Sequence, residues 1–171
     1  MKKTNIMLAV CILLMAACSS NKETSTVKTD SLTLNDTANM AKEAITGKFS
    51  VVDTPKFGGP INLRFTVYNH ADTAARFCKW HTPFERFMSK FLDVNLEDGA
   101  EAQYKGAMAK RMMPPPADAY ITIKPGDSTF VDFNLADGYA IEKPGTYTIK
   151  YNAAPISGVV VKNALQFNLA K

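Results

Sequence analysis

The chain has 171 residues, of which 46% are hydrophobic and 21% are charged, and its formal net charge is +4. This length is enough for one domain with a core of its own. Without Lys2 and Lys3, the count of Lys and Arg falls from 20 to 18 against 16 Asp and Glu. So small an excess does not provide the basic face that nucleic-acid binding requires, and no nucleic-acid partner is expected.

The first seventeen residues have the features of a bacterial signal peptide. Lys2 and Lys3 precede an apolar run from Ile6 to Ala17, which is shorter than the roughly 17–25 residues of a spanning helix. The run leads into Met15-Ala16-Ala17-Cys18, which resembles the lipobox of bacterial lipoproteins. The resemblance implies that Cys18 is lipidated and that residues 1–17 are removed. The alternative is an ordinary secretory signal that is cleaved after Ala17 without lipid.

A lipid on Cys18 predicts a protein anchored in the cell envelope. Each buried methylene contributes about 0.8 kcal/mol, so two or three acyl chains hold a protein stably on a membrane. Ser19 and Ser20 lack the Asp that keeps some lipoproteins at the inner membrane. We therefore expect the outer membrane, on its periplasmic or surface face. Residues 18–43 are polar and bury too little apolar surface to offset the entropy of folding, so a disordered tether is predicted there.

Alternation of apolar and polar residues begins in the segment 44–171, which is predicted to be the folded domain. Ile61, Leu63, Phe65 and Val67 share one face of an extended segment. Similar short segments, separated by turn residues, are found at 49–51, 76–80, 91–96, 102–104, 120–124, 130–135, 147–151 and 159–169. The segments 91–96 and 102–104 flank Asp98-Gly99 and are expected to form a hairpin. About seven to nine strands at this spacing predict an all-β, Ig-like antiparallel β-sandwich, with one or two helical turns at most in 84–91.

The sequence offers little for catalysis. His70 and His81 belong to no spaced metal motif such as His-Glu-x-x-His, and no Gly-x-Ser-x-Gly elbow occurs. Cys78 is the one cysteine left once Cys11 leaves with the signal and Cys18 is lipidated. An internal disulfide is then excluded, and the alternating context of Cys78 favours a core thiol over a reactive one. We therefore predict a protein that is not an enzyme, with no metal and no cofactor.

Two segments are richer in contact residues than ordinary loops. Residues 79–87 are dense in aromatics, and residues 104–116 contain three Met, three basic residues and three consecutive prolines. Methionine and arginine suit protein contacts. The candidate partner-binding residues are Trp80, His81, Phe84, Glu85, Arg86, Lys110, Arg111, Met112 and Met113. The alternative is that Met108 and Met112 cap the core while Lys110 and Arg111 pair with acids such as Glu85.

An ordered set of motifs covers much of the predicted domain. Lys-Trp-His-Thr-Pro-Phe-Glu at 79–85 precedes Lys110-Arg111, Tyr120, Pro125-Gly126 and Gly145-x-Tyr147. This set resembles the amino-terminal domain of deuterolysin-like and peptidyl-lysine zinc metalloendopeptidases. His81 stands where that family usually has Asn, and Arg86 where it usually has Gly. Neither the His-Glu-x-x-His helix nor the later Gly-Thr-x-x-Asp ligand of the family's catalytic domain occurs in the sequence.

In that family the amino-terminal region is a propeptide, which assists folding and silences the protease. The resemblance therefore implies a non-enzymatic protein-binding domain whose partner is a zinc metallopeptidase, as an inhibitor or a folding partner acting in trans. Two alternatives stay open. One is a structural or accessory outer-membrane lipoprotein with no protease contact, and the other is a protease-family protein with unrecognised catalytic activity.

Overall fold

The structure, a computed structural model, describes residues 44–170. The predicted signal peptide, Cys18 and the tether lie outside the described residues, and the proposed domain boundaries stay predictions. No helix in the described part of the chain is long and apolar enough to cross a membrane. The described residues form eight strands: β1 (Ile45–Val51), β2 (Asn62–Asn69), β3 (Ala75–Cys78), β4 (Leu92–Leu96), β5 (Tyr120–Ile123), β6 (Ser128–Asn134), β7 (Gly145–Tyr151) and β8 (Leu165–Leu169).

The strands form two three-stranded sheets and one two-stranded sheet, and every strand pairing is antiparallel. The strand orders are β1-β2-β6, β4-β7-β8 and β3-β5. The helical content of residues 44–170 is three single turns of 3-10 helix (Pro83–Glu85, Ala117–Ala119 and Leu135–Asp137) and the short helix α1 (Ala154–Ser157). The prediction of an all-β antiparallel sandwich with seven to nine strands is confirmed.

The core lies between the two three-stranded sheets. Leu63, Phe65 and Val67 on β2 have no exposed surface, as their alternation predicts. The ring of Phe65 lies 5.9 Å from that of Tyr151 on β7, so the two sheets meet through these side chains. Full burial of an apolar side chain of this size contributes about 1.5–3 kcal/mol to folding. Cys78 is also buried, in agreement with the prediction of a core thiol.

A buried polar residue ties β2 to the two-stranded sheet. The Asn69 side-chain amide donates to the carbonyl oxygens of Thr73, Ile123 and Lys124, at 2.9–3.1 Å. Its side-chain oxygen accepts from the Ala71 N–H at 3.0 Å. Because its donors and its acceptor are all used, burial of this amide carries no penalty for unmade hydrogen bonds. Asn69 thus fixes the turn that leads from β2 to β3.

Two local predictions differ from the structure in the length of the predicted elements. The hairpin expected around Asp98-Gly99 is present but short. Asn95 and Glu101 form an antiparallel bridge, the Leu96 N–H donates to the Ala100 carbonyl oxygen and the Ala102 N–H to that of Val94, but 102–104 is not a strand. Strand β4 also pairs along its whole length with β7. The final strand is shorter than 159–169, because Val160 leaves the sheet of β8 and forms a parallel bridge with Thr46 of β1.

Candidate protein-binding surface

The loop between β3 and β4 begins with a capped turn. The Thr82 hydroxyl donates to the Lys79 carbonyl oxygen at 2.6 Å and accepts from the Phe84 N–H at 3.2 Å. Threonine at this position satisfies a free N–H at the start of the 3-10 turn, and Pro83 supplies a suitable φ angle for the first residue. Phe84 then packs inward, with its ring 5.3 Å from that of Phe77.

Two residues of this loop have a left-handed backbone. His81 has a φ of 57° and Arg86 a φ of 61°, and they are the two non-glycine residues with positive φ in the described chain. The ψ of Arg86 is −159°, a region that is populated almost entirely by glycine. The loop therefore contains local backbone strain on either side of its 3-10 turn.

Glu85 and Arg111 connect this loop to the distant segment 104–116. The Glu85 carboxylate accepts from the His81 N–H at 2.6 Å and from the Ser89 hydroxyl at 3.2 Å, and its second oxygen pairs with the Arg111 guanidinium. The Glu85 side chain is 7% exposed and that of Arg111 is 24% exposed. The guanidinium carbon also lies 4.8 Å from the centre of the Trp80 ring, within the range of a cation–π contact.

The start of the 104–116 segment is attached to the same loop by backbone bonds. The Ala107 N–H donates to the Phe87 carbonyl oxygen at 2.8 Å, and the Ala109 N–H to that of Met88 at 2.9 Å. The Tyr104 hydroxyl lies 2.9 Å from the Phe87 carbonyl oxygen. Gly106 permits this approach, because a Cβ there would lie 2.4 Å from the Tyr104 hydroxyl. The segment is thus held at 107–109 by backbone and at Arg111 by its side chain.

Four methionines project from these joined segments into solvent. Their exposed fractions are 40% for Met88, 73% for Met108, 88% for Met112 and 73% for Met113. These four, here called the methionine patch, make up half of the eight large hydrophobic side chains that are exposed within residues 44–170. The grouping of these exposed apolar side chains on two joined segments makes this part of the surface the candidate site.

The sequence left two roles open for these residues, partner binding and structural support, and the structure gives a different answer for different residues. Arg111 does pair with Glu85, as the structural alternative states. The core-capping role suggested for Met108 and Met112 is wrong, since both are largely exposed. Aromatic side chains already occupy this end of the core: the Phe87 ring stacks on Phe91 at 5.6 Å and meets Tyr139 edge-on at 5.8 Å.

The predicted contact residues therefore fall into two groups. Trp80, Phe84 and Glu85 are buried or half-buried and hold the loop together, whereas Arg86, Lys110, Met112 and Met113 are exposed. His81 is half-buried. Met88 was not among the candidates, because only the backbone bond from Ala109 brings it beside the others. A surface pocket of about 440 Å³ lies beside the patch and is lined by Trp80, Met88, Arg111, Pro116 and Asp118, among others.

The titratable side chains of the described chain do not form a metal centre. No group of three or more His, Cys, Asp and Glu within residues 44–170 is placed to hold a metal ion. The His70 Nε2 atom lies 2.7 Å from the Thr46 hydroxyl oxygen, and the His81 backbone contributes to the loop around Glu85. This surface combines exposed methionine side chains with the ion pair between Glu85 and Arg111.

Comparison with known proteins identifies the domain family of this chain. Residues 48–154 match the family model of an immunoglobulin-like domain. The match spans more than half of the chain and includes both segments that carry the methionine patch. The chain therefore belongs to the immunoglobulin-like domain family. No curated protein matches it.

Proposed function

We propose that this protein is a lipid-anchored, non-enzymatic binding protein of the bacterial cell envelope, and that the methionine patch docks its protein partner. The proposal rests on the exposure of Met108, Met112 and Met113, which lie on a segment that is hydrogen-bonded to the neighbouring loop. Unbranched thioether side chains adapt to irregular partners. Because 107–109 and Arg111 are already attached to the loop, docking costs less conformational entropy than it would for a free segment.

We further propose that the partner is a zinc metallopeptidase. This protein would bind it as a propeptide does, but as a separate chain acting in trans. The resemblance to the metalloendopeptidase amino-terminal domain supports this, and the loop geometry is consistent with it. His81 and Arg86, which replace the Asn and Gly of that family's motif, are the two residues with positive φ. Asn and Gly are the residues that tolerate such angles best, so the family's motif suits this loop conformation.

Binding to a purified deuterolysin-type zinc metallopeptidase tests the proposal. The chain with Cys18→Ser, which is not lipidated, is expected to bind the enzyme and either slow its activity or speed its refolding. Replacing Met112 and Met113 together with Glu should weaken binding at least about tenfold, because charge is disfavoured at the centre of an interface. The melting temperature should stay unchanged, since both side chains are exposed.

The matched control is Ile156→Glu, an exposed apolar side chain on α1 outside the patch, which should leave binding unchanged. Absence of binding, inhibition and assisted refolding by the unaltered chain would contradict the metallopeptidase proposal. Recovery of an envelope complex without a peptidase after cross-linking would favour the structural lipoprotein instead.

The lipid anchor is tested by labelling cells with a palmitate analogue. Cys18→Ser should abolish labelling, whereas Cys78→Ala should retain it, because the Cys78 thiol is buried in the core. Labelling that survives Cys18→Ser would refute the anchor, and the protein would then be secreted without lipid.

A further inference from the structure

Strand β1 has an outer edge that is only partly paired. The Gly47 N–H donates to the Val160 carbonyl oxygen at 2.8 Å, and the Val160 N–H reaches the Ile45 carbonyl oxygen at 3.4 Å. Beyond this bridge, the outward-facing groups are the Gly47 C=O and the N–H and C=O of Phe49, because the even-numbered residues pair with β2. Within the described chain these groups have no hydrogen-bond partner. Such an edge is a template for another strand.

The chain that follows Val160 diverges from β1 and leaves a groove. Its volume is about 500 Å³, and the residues that line it include Lys48, Phe49, Tyr68, His70, Lys162 and Leu165. This volume is within the range of about 300–1,000 Å³ of ordinary ligand sites. The groove shares no lining residue with the methionine patch, so it is a separate feature of the domain.

The residues that line the groove include two lysines and one histidine and no carboxylate side chain. The rings of Tyr68 and His70, which also line the groove, stack with their centres 6.0 Å apart. Lysines at the rim of a groove attract carboxylates and repel cations. The unpaired N–H and C=O groups at the outer edge of β1 suit an extended peptide chain.

We propose that this groove binds an extended acidic peptide segment, which adds to the sheet as a strand beside β1. Backbone bonds to the Phe49 N–H and C=O and to the Gly47 C=O would hold the peptide, as in other cases of strand addition. Acidic side chains would lie near Lys48, and apolar ones against Tyr68 and Leu165. The site goes beyond the proposed docking of a metallopeptidase, and neither proposal depends on the other.

The test uses a hexapeptide of alternating Glu and Val with the chain that carries Cys18→Ser. Titration followed by amide NMR should shift the Phe49 N–H signal on binding. A peptide with Lys in place of each Glu should not bind. The acidic peptide with N-methylated backbone amides should bind at least about tenfold more weakly, because it loses the backbone bonds.

Lys48→Glu should weaken binding of the acidic peptide about tenfold. Lys124→Glu, which reverses an exposed lysine outside the groove, should leave it unchanged. The proposal is overturned if the acidic peptide does not bind, if the lysine peptide binds equally well, or if the Phe49 amide is unaffected at saturation.

Discussion

Arg111 and Glu85 are 26 residues apart in the chain and form an ion pair that brings the 104–116 segment onto the loop before β4. The Glu85 carboxylate also accepts the His81 N–H and the Ser89 hydroxyl, so one side chain organises both segments. The Arg111 Nε atom is buried and has no hydrogen-bond partner in the described chain, and the guanidinium carbon lies 4.8 Å from the centre of the Trp80 ring. The ion pair therefore acts together with the backbone bonds of Ala107 and Ala109 to hold the 104–116 segment on the loop.

Replacing Arg111 with Met tests the ion pair. The change leaves the nearly buried Glu85 carboxylate without its cation, and we expect the free energy of unfolding to fall by about 2 kcal/mol. Lys110→Met, at the exposed neighbouring position, should change it by less than about 0.5 kcal/mol. Urea unfolding of the three proteins measures the difference. Equal effects of the two substitutions would show that the pair does not stabilise the fold.

Replacing Arg86 with Gly should stabilise the protein. The φ of 61° and ψ of −159° at this residue cost a non-glycine residue about 1–3 kcal/mol. Glycine removes that strain but loses about 0.5–1 kcal/mol of unfolded-state entropy. We expect a net gain of about 1 kcal/mol, measured by thermal or urea unfolding. Arg86→Ala retains a Cβ and should show no gain; an equal gain from alanine would mean that the side chain, and not the backbone, is unfavourable.

Gly138 is required by the Phe87 ring that packs against it. A Cβ at this position would lie 2.2 Å from the ring carbon Cδ1 of Phe87, so Gly138→Ala must displace an aromatic side chain that contacts Phe91 and Tyr139. Overpacking of this kind costs about 1–3 kcal/mol. Gly59→Ala is the control, because the nearest atom to its Cβ would be 3.5 Å away. If differential scanning calorimetry gave both variants the same melting temperature, the packing argument would fail.

High pH should destabilise the fold through two tyrosines. Burial raises the pKa of Tyr139 and that of Tyr151 in the folded state, whereas an unfolded tyrosine has a pKa of about 10. Their neutral hydroxyls therefore contribute stability that is fully present below about pH 10 and is lost as the pH rises above it. Each group should lower the free energy of unfolding by about 1.4 kcal/mol per pH unit in that range.

Urea unfolding between pH 9 and pH 11 measures this slope. Tyr139→Phe should remove the contribution of one tyrosine and so make the slope shallower. This variant starts from lower stability, because it loses the 2.7 Å bond to the Leu92 carbonyl oxygen. An unchanged slope in Tyr139→Phe would contradict the role of burial at this residue.

Part of the candidate site could be predicted from the sequence. The density of aromatics in 79–87 and of Met and basic residues in 104–116 identified both segments, although they are far apart in the chain. Composition could not distinguish Arg111, whose side chain pairs with Glu85, from Lys110, whose side chain is exposed. Met88 was missed because its place in the patch depends on the hydrogen bond between its carbonyl oxygen and the Ala109 N–H.

The sequence alone determined the fold class, because side chains at alternate positions of a strand face opposite sides, and residues such as Leu63, Phe65 and Val67 can bury their surface in no other regular way. Tertiary structure decided which strands became partners and which side chains stayed exposed. Strand β4 pairs along its whole length with β7, and Phe87 packs against Phe91 and Tyr139 while Met108 and Met112 stay exposed. Both outcomes depend on competition between distant residues for the same buried volume, which a local pattern does not contain.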